Sequence, residues 1–112
     1  YGYDCVGSAG RLNDLWRYDP ATEKWTWMSG ADKINQRGVY GAKGSPAIDN
    51  VPGARAYSIS WPESAGYLWL FGGYGYDSAG GFGYLNDLWR YELASGQWTW
   101  MRGANTADEK GV

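Results

Sequence analysis

Short apolar segments of strand length recur along the chain and are separated by turn residues. Residues 54–61 alternate between large and small side chains, which is the two-residue period of a β-strand. Residues 67–71 (YLWLF) are continuously apolar, as in a strand that is buried on both faces. The Pro- and Gly-containing residues 62–66 predict a hairpin connection between the two. No segment carries an apolar stripe of helical period, so the pattern predicts an all-β fold.

A second pair of strands follows the first. The sequences LWRY at 88–91 and WTWM at 98–101 flank the turn-rich residues 92–97. Together with the first pair, these segments predict a unit of four antiparallel strands.

The second strand pair occurs twice in the chain. LNDLWRY stands at 12–18 and again at 85–91, at an offset of 73 residues. In that register, residues 1–39 align without gaps to residues 74–112, with 22 identities over 39 positions. The chain therefore holds one unit and about half of another, which predicts six strands.

Four landmarks in a fixed order carry a family resemblance. They are an apolar strand, a double glycine, a tyrosine, and a tryptophan with six residues between it and the tyrosine; the half unit repeats the last two. The motif residues are Gly72, Gly73, Tyr18, Trp25, Tyr91 and Trp98. The chain resembles the Kelch repeat of β-propellers, in a long-loop bacterial subtype related to the central domain of galactose oxidase. Its 73-residue unit is longer than the usual ~50 residues.

The resemblance implies a partial propeller of about one and a half four-stranded antiparallel blades. Residues 40–112 would form one complete blade, and residues 1–39 an outer half-blade with the start of a long loop. Propellers need about 4–8 blades, so we expect the apolar faces and free strand edges to be covered by other protein chains. These would be further copies of this chain or the remaining blades of a longer protein. One form of self-association would pair the outer hairpin, residues 15–28, with its symmetry mate.

Composition and charge exclude several partners. Ten basic and twelve acidic residues give a net charge of −2, which argues against binding to nucleic acid or an anionic membrane. No apolar run approaches the ~18 residues of a membrane span. A secreted or cell-surface location is slightly favoured over the cytoplasm.

Catalytic and metal-binding chemistry is poorly supplied. The chain has no histidine and a single cysteine, Cys5, so the commonest acid–base group and the commonest metal ligand are missing. The copper-radical oxidases of the same fold need histidine ligands and a tyrosine cross-linked to cysteine, whereas Cys5 aligns with Ser78. We therefore expect no enzyme activity, no metal and no cofactor.

An asparagine–aspartate pair precedes the third strand of each unit. Asp14 and Asp87 could offer oxygen ligands to Ca²⁺, but the usual calcium-loop spacing is missing and hydrogen bonding within the protein is the commoner role. Arg17, Arg55 and Arg90 fall within strands, where a buried guanidinium needs carbonyl or carboxylate partners. The two aspartates are the nearest candidates.

The two longest connections, 74–84 and 29–53, fall at the same end of a four-stranded meander. The first is rich in Tyr, Gly and Ser, a composition that recognition loops favour, although such loops can also simply pack between blades. The candidate binding residues are Tyr74, Tyr76, Asp77, Phe82, Tyr84, Tyr1, Tyr3 and Asp4. The sequence thus favours a non-catalytic module that binds proteins or ligands through this rim.

Two alternatives stay open. The tryptophans of the outermost strands (Trp25 and Trp27, Trp98 and Trp100) alternate onto one face and are expected to fill space between blades. If they were exposed, a secreted carbohydrate-binding module would be favoured instead. The chain could also be part of a propeller enzyme whose catalytic residues lie in other blades.

Overall fold

The computed structural model describes all 112 residues and contains β-strands but no helix, which confirms the all-β prediction. No helix long and apolar enough to cross a membrane is therefore present. The strands are β1 (Gly2–Tyr3), β2 (Ala9–Gly10), β3 (Leu15–Asp19), β4 (Lys24–Ser29), β5 (Arg55–Ala56), β6 (Ile59–Glu63), β7 (Tyr67–Tyr76), β8 (Phe82–Glu92) and β9 (Gln97–Arg102).

These strands form three antiparallel sheets. Strands β1 and β2, which have two residues each, form one hairpin, and the longer strands β3 and β4 form another. In the third, five-stranded sheet, β7 pairs with both β5 and β6 on one side and with β8 on the other, and β9 follows β8. The order β6–β7–β8–β9 follows the chain because each strand is joined to the next by a short turn.

The chain has nine strands where six were predicted, and a break in one predicted strand is a first reason. Segment 54–61 divides into β5 and β6 because Tyr57 has a φ of 63°, which interrupts extended backbone. The alternation expected there does not run through: Arg55 is buried, whereas Ile59 is exposed.

The other two additional strands are β1 and β2, which lie before the first predicted strand. The predicted long loop 74–84 adds no strand, but most of it is a β-hairpin that lengthens two predicted ones. Strand β7 continues to Tyr76 and β8 begins at Phe82, and the two residues face each other across the pair. Only residues 77–81 form the turn. The glycines of this segment suggested a loop, but Gly75 lies where a Cβ would overlap the carbonyl oxygen of Ala54, so glycine permits close packing of β7 against the chain entering β5.

The sequence predicted that residues 67–71 are buried on both faces, and this prediction was wrong. Leu68 and Leu70 pack against the core, while Phe71 is 42% exposed on the opposite face. That opposite face has no covering layer in this chain.

The core lies on one face of the five-stranded sheet. Trp89, Tyr91 and Trp98 are buried there together with Tyr40, which comes from the long connection between β4 and β5. Leu15 and Met28 of the β3–β4 hairpin pack against the same cluster. The hairpin thus forms a second layer over the sheet, and this packing joins the two copies of the repeat.

Candidate functional site

An arginine lies among the aromatic side chains at the end of the β7–β8 hairpin. The Cζ atom of Arg11 is 4.6 Å from the ring centre of Phe82, 5.2 Å from that of Tyr74 and 5.9 Å from that of Tyr1. Its Nε donates a hydrogen bond of 3.1 Å to the carbonyl oxygen of Tyr74. Cation–π contacts and this bond hold the guanidinium in place.

Cross-strand pairing brings the rings together. Tyr74 faces Tyr84, and Tyr76 faces Phe82, so alternate positions of β7 and β8 place all four rings on one side. Ring centres are 4.6 Å apart for Tyr74 and Phe82, and 4.8 Å for Tyr74 and Tyr84. We call this group the aromatic rim: Tyr1, Arg11, Tyr74, Tyr76, Phe82 and Tyr84.

The aromatic rim is open to solvent. Tyr1 and Tyr84 are 78% and 73% exposed, and a cleft of about 360 Å³ adjoins Tyr74 and Tyr84 with Tyr57, Ile59 and Phe71 on its walls. Arg11 has no carboxylate within salt-bridge distance. The rim therefore offers ring faces for stacking and a positive charge without a counter-ion.

The two candidate aspartates serve the hairpin turns. Asp77 accepts hydrogen bonds from the backbone N–H groups of Ala79, Gly81 and Ala107, at 2.7–2.9 Å. Burial disfavours its charged form, but these backbone bonds outweigh that effect and lower the pKa of Asp77. Asp4 accepts equivalent bonds within the β1–β2 turn, from Val6 and Ser8.

Tyr3 lies away from the aromatic rim. It pairs with Ala9 in the β1–β2 hairpin and lines a separate cleft of about 260 Å³ with Cys5 and Trp16. Of the eight candidate binding residues, the structure gathers Tyr1, Tyr74, Tyr76, Phe82 and Tyr84 into one cluster and leaves Tyr3, Asp4 and Asp77 outside it.

Sequence reasoning missed Arg11. The residue aligns with Tyr84 in the other copy of the repeat, so the signal was a charged residue at a repeat position that is otherwise aromatic. Only the approach of β2 to the β7–β8 hairpin turns that difference into a cation beside rings.

A buried polar cluster lies beneath the second copy. Asp87 forms a bidentate ion pair with Arg55 at 2.7 and 2.8 Å, and it accepts hydrogen bonds from Tyr40 at 2.5 Å and from the indole of Trp89 at 2.8 Å. The expected carboxylate partner of Arg55 is thereby confirmed. Arg90 differs, because its guanidinium lies 4.3 Å from the ring centre of Tyr67.

The surroundings of this cluster shift its pKa values. Burial penalises the charged form of Asp87, yet the hydrogen bonds and charge of Arg55 hold the pKa of this carboxyl below its usual range. Burial, and then the charge of Asp87, raise the pKa of Tyr40. The polar groups of this cluster are hydrogen-bonded to one another inside the fold. Elsewhere in the chain, no group of three or more His, Cys, Asp or Glu side chains is placed to hold a metal ion.

The two copies of the motif residues have opposite environments. Tyr91 and Trp98 are buried, at 0% and 4% exposure, whereas Tyr18 and Trp25 are 45% and 65% exposed. Trp27 is also exposed, while Trp100 is half-buried. Space filling by tryptophan is therefore seen in the second copy alone.

No known family model matches the chain, and no curated protein matches its sequence.

Proposed function

We propose that this chain is a non-catalytic Kelch-type module that binds proteins or ligands through the aromatic rim. The observation that carries the proposal is the position of Arg11, a cation among exposed rings with no carboxylate of its own. A ligand that offers a carboxylate and a ring or apolar group would satisfy both the charge and the stacking surface. We infer that acidic peptide segments with aromatic residues are the preferred class.

The sheet order supports the Kelch part of the proposal. Strands β6, β7, β8 and β9 pair in chain order, as the four strands of a propeller blade do, and the double glycine lies within β7. The natural partners of such a unit are further blades, either in other chains or in a longer protein.

The enclosed polar groups support a binding role in preference to an enzymatic one. Asp87, Arg55 and Tyr40 are buried and hydrogen-bonded to one another, so they are available to the fold and not to a substrate. The rim itself contains rings and one guanidinium, without an acid–base pair.

Peptide binding to the rim can be tested directly. On a peptide array, the wild-type chain should bind peptides that contain both acidic and aromatic residues. It should not bind the control peptides, in which lysine replaces each acidic residue. The substitutions Arg11→Ala and Tyr84→Ala should each abolish that binding, while Val6→Ala, which changes an exposed side chain outside the rim, should not. Equal binding of both peptide sets, or binding that survives both rim substitutions, would contradict the proposal.

Carbohydrate binding is a second candidate, and the exposed indoles of Trp25 and Trp27 favour it. Indole faces stack on the apolar faces of sugar rings. On a glycan array, this function predicts binding that is lost in Trp25→Ala and kept in Arg11→Ala.

A further inference from the structure

The packing between the two copies of the repeat shows how one face of this unit fits the other. Leu15 and Met28 of the β3–β4 hairpin pack on the cluster of Trp89, Tyr91 and Trp98. The hydroxyl of Tyr91 donates to the carbonyl oxygen of Met28 at 3.4 Å. The contact is asymmetric, because an aliphatic face of one copy meets an aromatic face of the other.

The aromatic half of this contact is present a second time, uncovered. We call it the indole face: Trp16, Tyr18, Trp25 and Trp27 of β3 and β4, which are equivalent to Trp89, Tyr91, Trp98 and Trp100. All four side chains are at least 45% exposed. Tyr40 fills the space beside Trp89, whereas the equivalent space beside Trp16 is a cleft of about 550 Å³ between Asp14, Trp27 and Asp32.

The aliphatic half is also present a second time. Leu88 and Met101 are the equivalents of Leu15 and Met28. Cross-strand pairing places Leu88 on the same side as Phe71 and Ile59. We call this the aliphatic face: the aliphatic side chains of Ile59, Leu88 and Met101 together with the ring of Phe71. Leu88 and Met101 are half-buried, whereas Ile59 and Phe71, which have no equivalent in residues 1–39, are exposed. The chain therefore carries an exposed second copy of the indole half of its internal contact and a partly covered, enlarged second copy of the aliphatic half.

We propose that a second copy of this chain docks head to tail, with its aliphatic face on the indole face of the first. A leucine and a methionine would meet the indole face as in the internal contact, with Ile59 and Phe71 added beside them. The Tyr18 hydroxyl would reach the backbone carbonyl of Met101 as Tyr91 reaches Met28. One bond is not repeated: the indole of Trp98 donates to Ser29 at 3.1 Å, whereas the position equivalent to Ser29 is Arg102. A docked pair still has one free indole face at one end and one free aliphatic face at the other. Further copies can therefore add, and the association continues into a ring or an open chain.

A two-fold pairing of indole faces is the competing arrangement. It would place tryptophan against tryptophan and would leave the aliphatic face exposed, whereas head-to-tail docking covers both. Neither face contains a residue of the aromatic rim, but Ile59 and Phe71 also line the cleft beside the rim. The docking and peptide-binding proposals are therefore separated by Arg11→Ala and by the indole variant, neither of which changes that cleft. Arg11→Ala should associate like the wild type.

Two variants that each lack one face test the docking. The indole variant carries Trp25→Glu and Trp27→Glu, and the aliphatic variant carries Ile59→Glu and Phe71→Glu; all four side chains are exposed in the single chain. In analytical ultracentrifugation the wild type should form species larger than a dimer at the concentration of an NMR sample. Each variant alone should be monomeric, and an equimolar mixture should form a heterodimer and nothing larger.

Three results would overturn the proposal: a monomeric wild type, a mixture that stays monomeric, or an aliphatic variant that dimerises alone as the two-fold arrangement requires. Circular dichroism establishes that each variant is folded. If a double variant fails to fold, the single substitutions Trp25→Glu and Ile59→Lys replace it in the same mixing experiment. Val6→Glu, which adds a charge outside both faces, should associate like the wild type, and its failure to do so would also count against the assigned faces.

Discussion

Asp14 and Asp87 are the same residue at equivalent positions, yet they have different neighbours. Both accept a hydrogen bond of 2.8 Å from the indole two residues further along the chain. Asp87 in addition pairs with Arg55 and accepts the bond from Tyr40, and it is fully buried. The local bond is a property of the repeated sequence, and the ion pair is a property of the fold around it.

The comparison predicts unequal effects of one substitution. Asp87→Asn should lower the free energy of unfolding by about 3–5 kcal/mol, because the Arg55 guanidinium would stay buried without its counter-charge. Asp14→Asn should cost about 1 kcal/mol or less, since it weakens one hydrogen bond outside the core. Urea unfolding followed by tryptophan fluorescence measures both, and equal losses would contradict the interpretation.

At the scale of elements, the β7–β8 hairpin depends on its turn. The carboxylate of Asp77 accepts hydrogen bonds from the backbone N–H groups of Ala79 and Gly81 within the turn, and also from that of Ala107, which follows β9. The same carboxylate therefore shapes the hairpin and ties it to the chain beyond the last strand. The carboxylate of the equivalent Asp4 accepts hydrogen bonds only within the short β1–β2 hairpin.

Removing the Asp77 carboxylate should destabilise the protein in a pH-dependent way. The pKa of Asp77 is lower in the folded chain than its usual value, so the folded state favours the charged form. That stabilisation is complete above the ordinary aspartate pKa of about 3.9 and is lost as the pH falls toward the lower folded value. Asp77→Ala should thus lower the melting temperature at about pH 7 more than at about pH 3.

The matched control for that substitution is Asp4→Ala. It removes two backbone hydrogen bonds from an exposed hairpin and should change the melting temperature less than Asp77→Ala does at neutral pH. A loss in Asp77→Ala that does not shrink on acidification would show that the carboxylate charge is not what stabilises the turn.

At the scale of the whole molecule, packing between the hairpin and the sheet joins the two copies. Trp98 lies at this contact and donates its indole N–H to Ser29 of β4. The connection between β4 and β5 also crosses it, since Asn50 donates to the carbonyl oxygen of Trp98 at 3.1 Å. Trp25, the equivalent of Trp98 in the first copy, has no such contact with a serine or an asparagine.

Truncating Trp98 and Trp25 in turn should distinguish the stability that comes from packing between the layers from the β-strand propensity of tryptophan itself. Trp98→Ala should lower the free energy of unfolding by about 3–5 kcal/mol, because it leaves a cavity at the contact between hairpin and sheet. Trp25→Ala, at an exposed position with the same strand neighbours, should cost about 1 kcal/mol or less in the monomer. Chemical denaturation of dilute protein provides the measurement, and similar losses would mean that Trp98 does not hold the layers together.

The elements that were predicted well are those with local signals. LWRY and WTWM form β3–β4 and β8–β9 because short turns pair neighbouring strands. The hairpin of residues 74–84 was missed because two of its glycines, Gly75 and Gly83, are strand residues needed for close approach to Ala54 and Asp108. The break at Tyr57 and the placement of Arg11 among the rings depend on the same distant packing.

By itself, the sequence determined the all-β class and the duplicated hairpins β3–β4 and β8–β9, because these depend on side-chain alternation and on turns a few residues long. Both copies of the duplicated motif form the same hairpin with the same register. Only the tertiary structure decided which copy is buried. Trp89 is covered by Tyr40, a residue 49 positions earlier in the chain, and Trp16 has no such cover. Burial is set by what packs against a residue, and no repeated motif encodes the neighbour that comes from elsewhere.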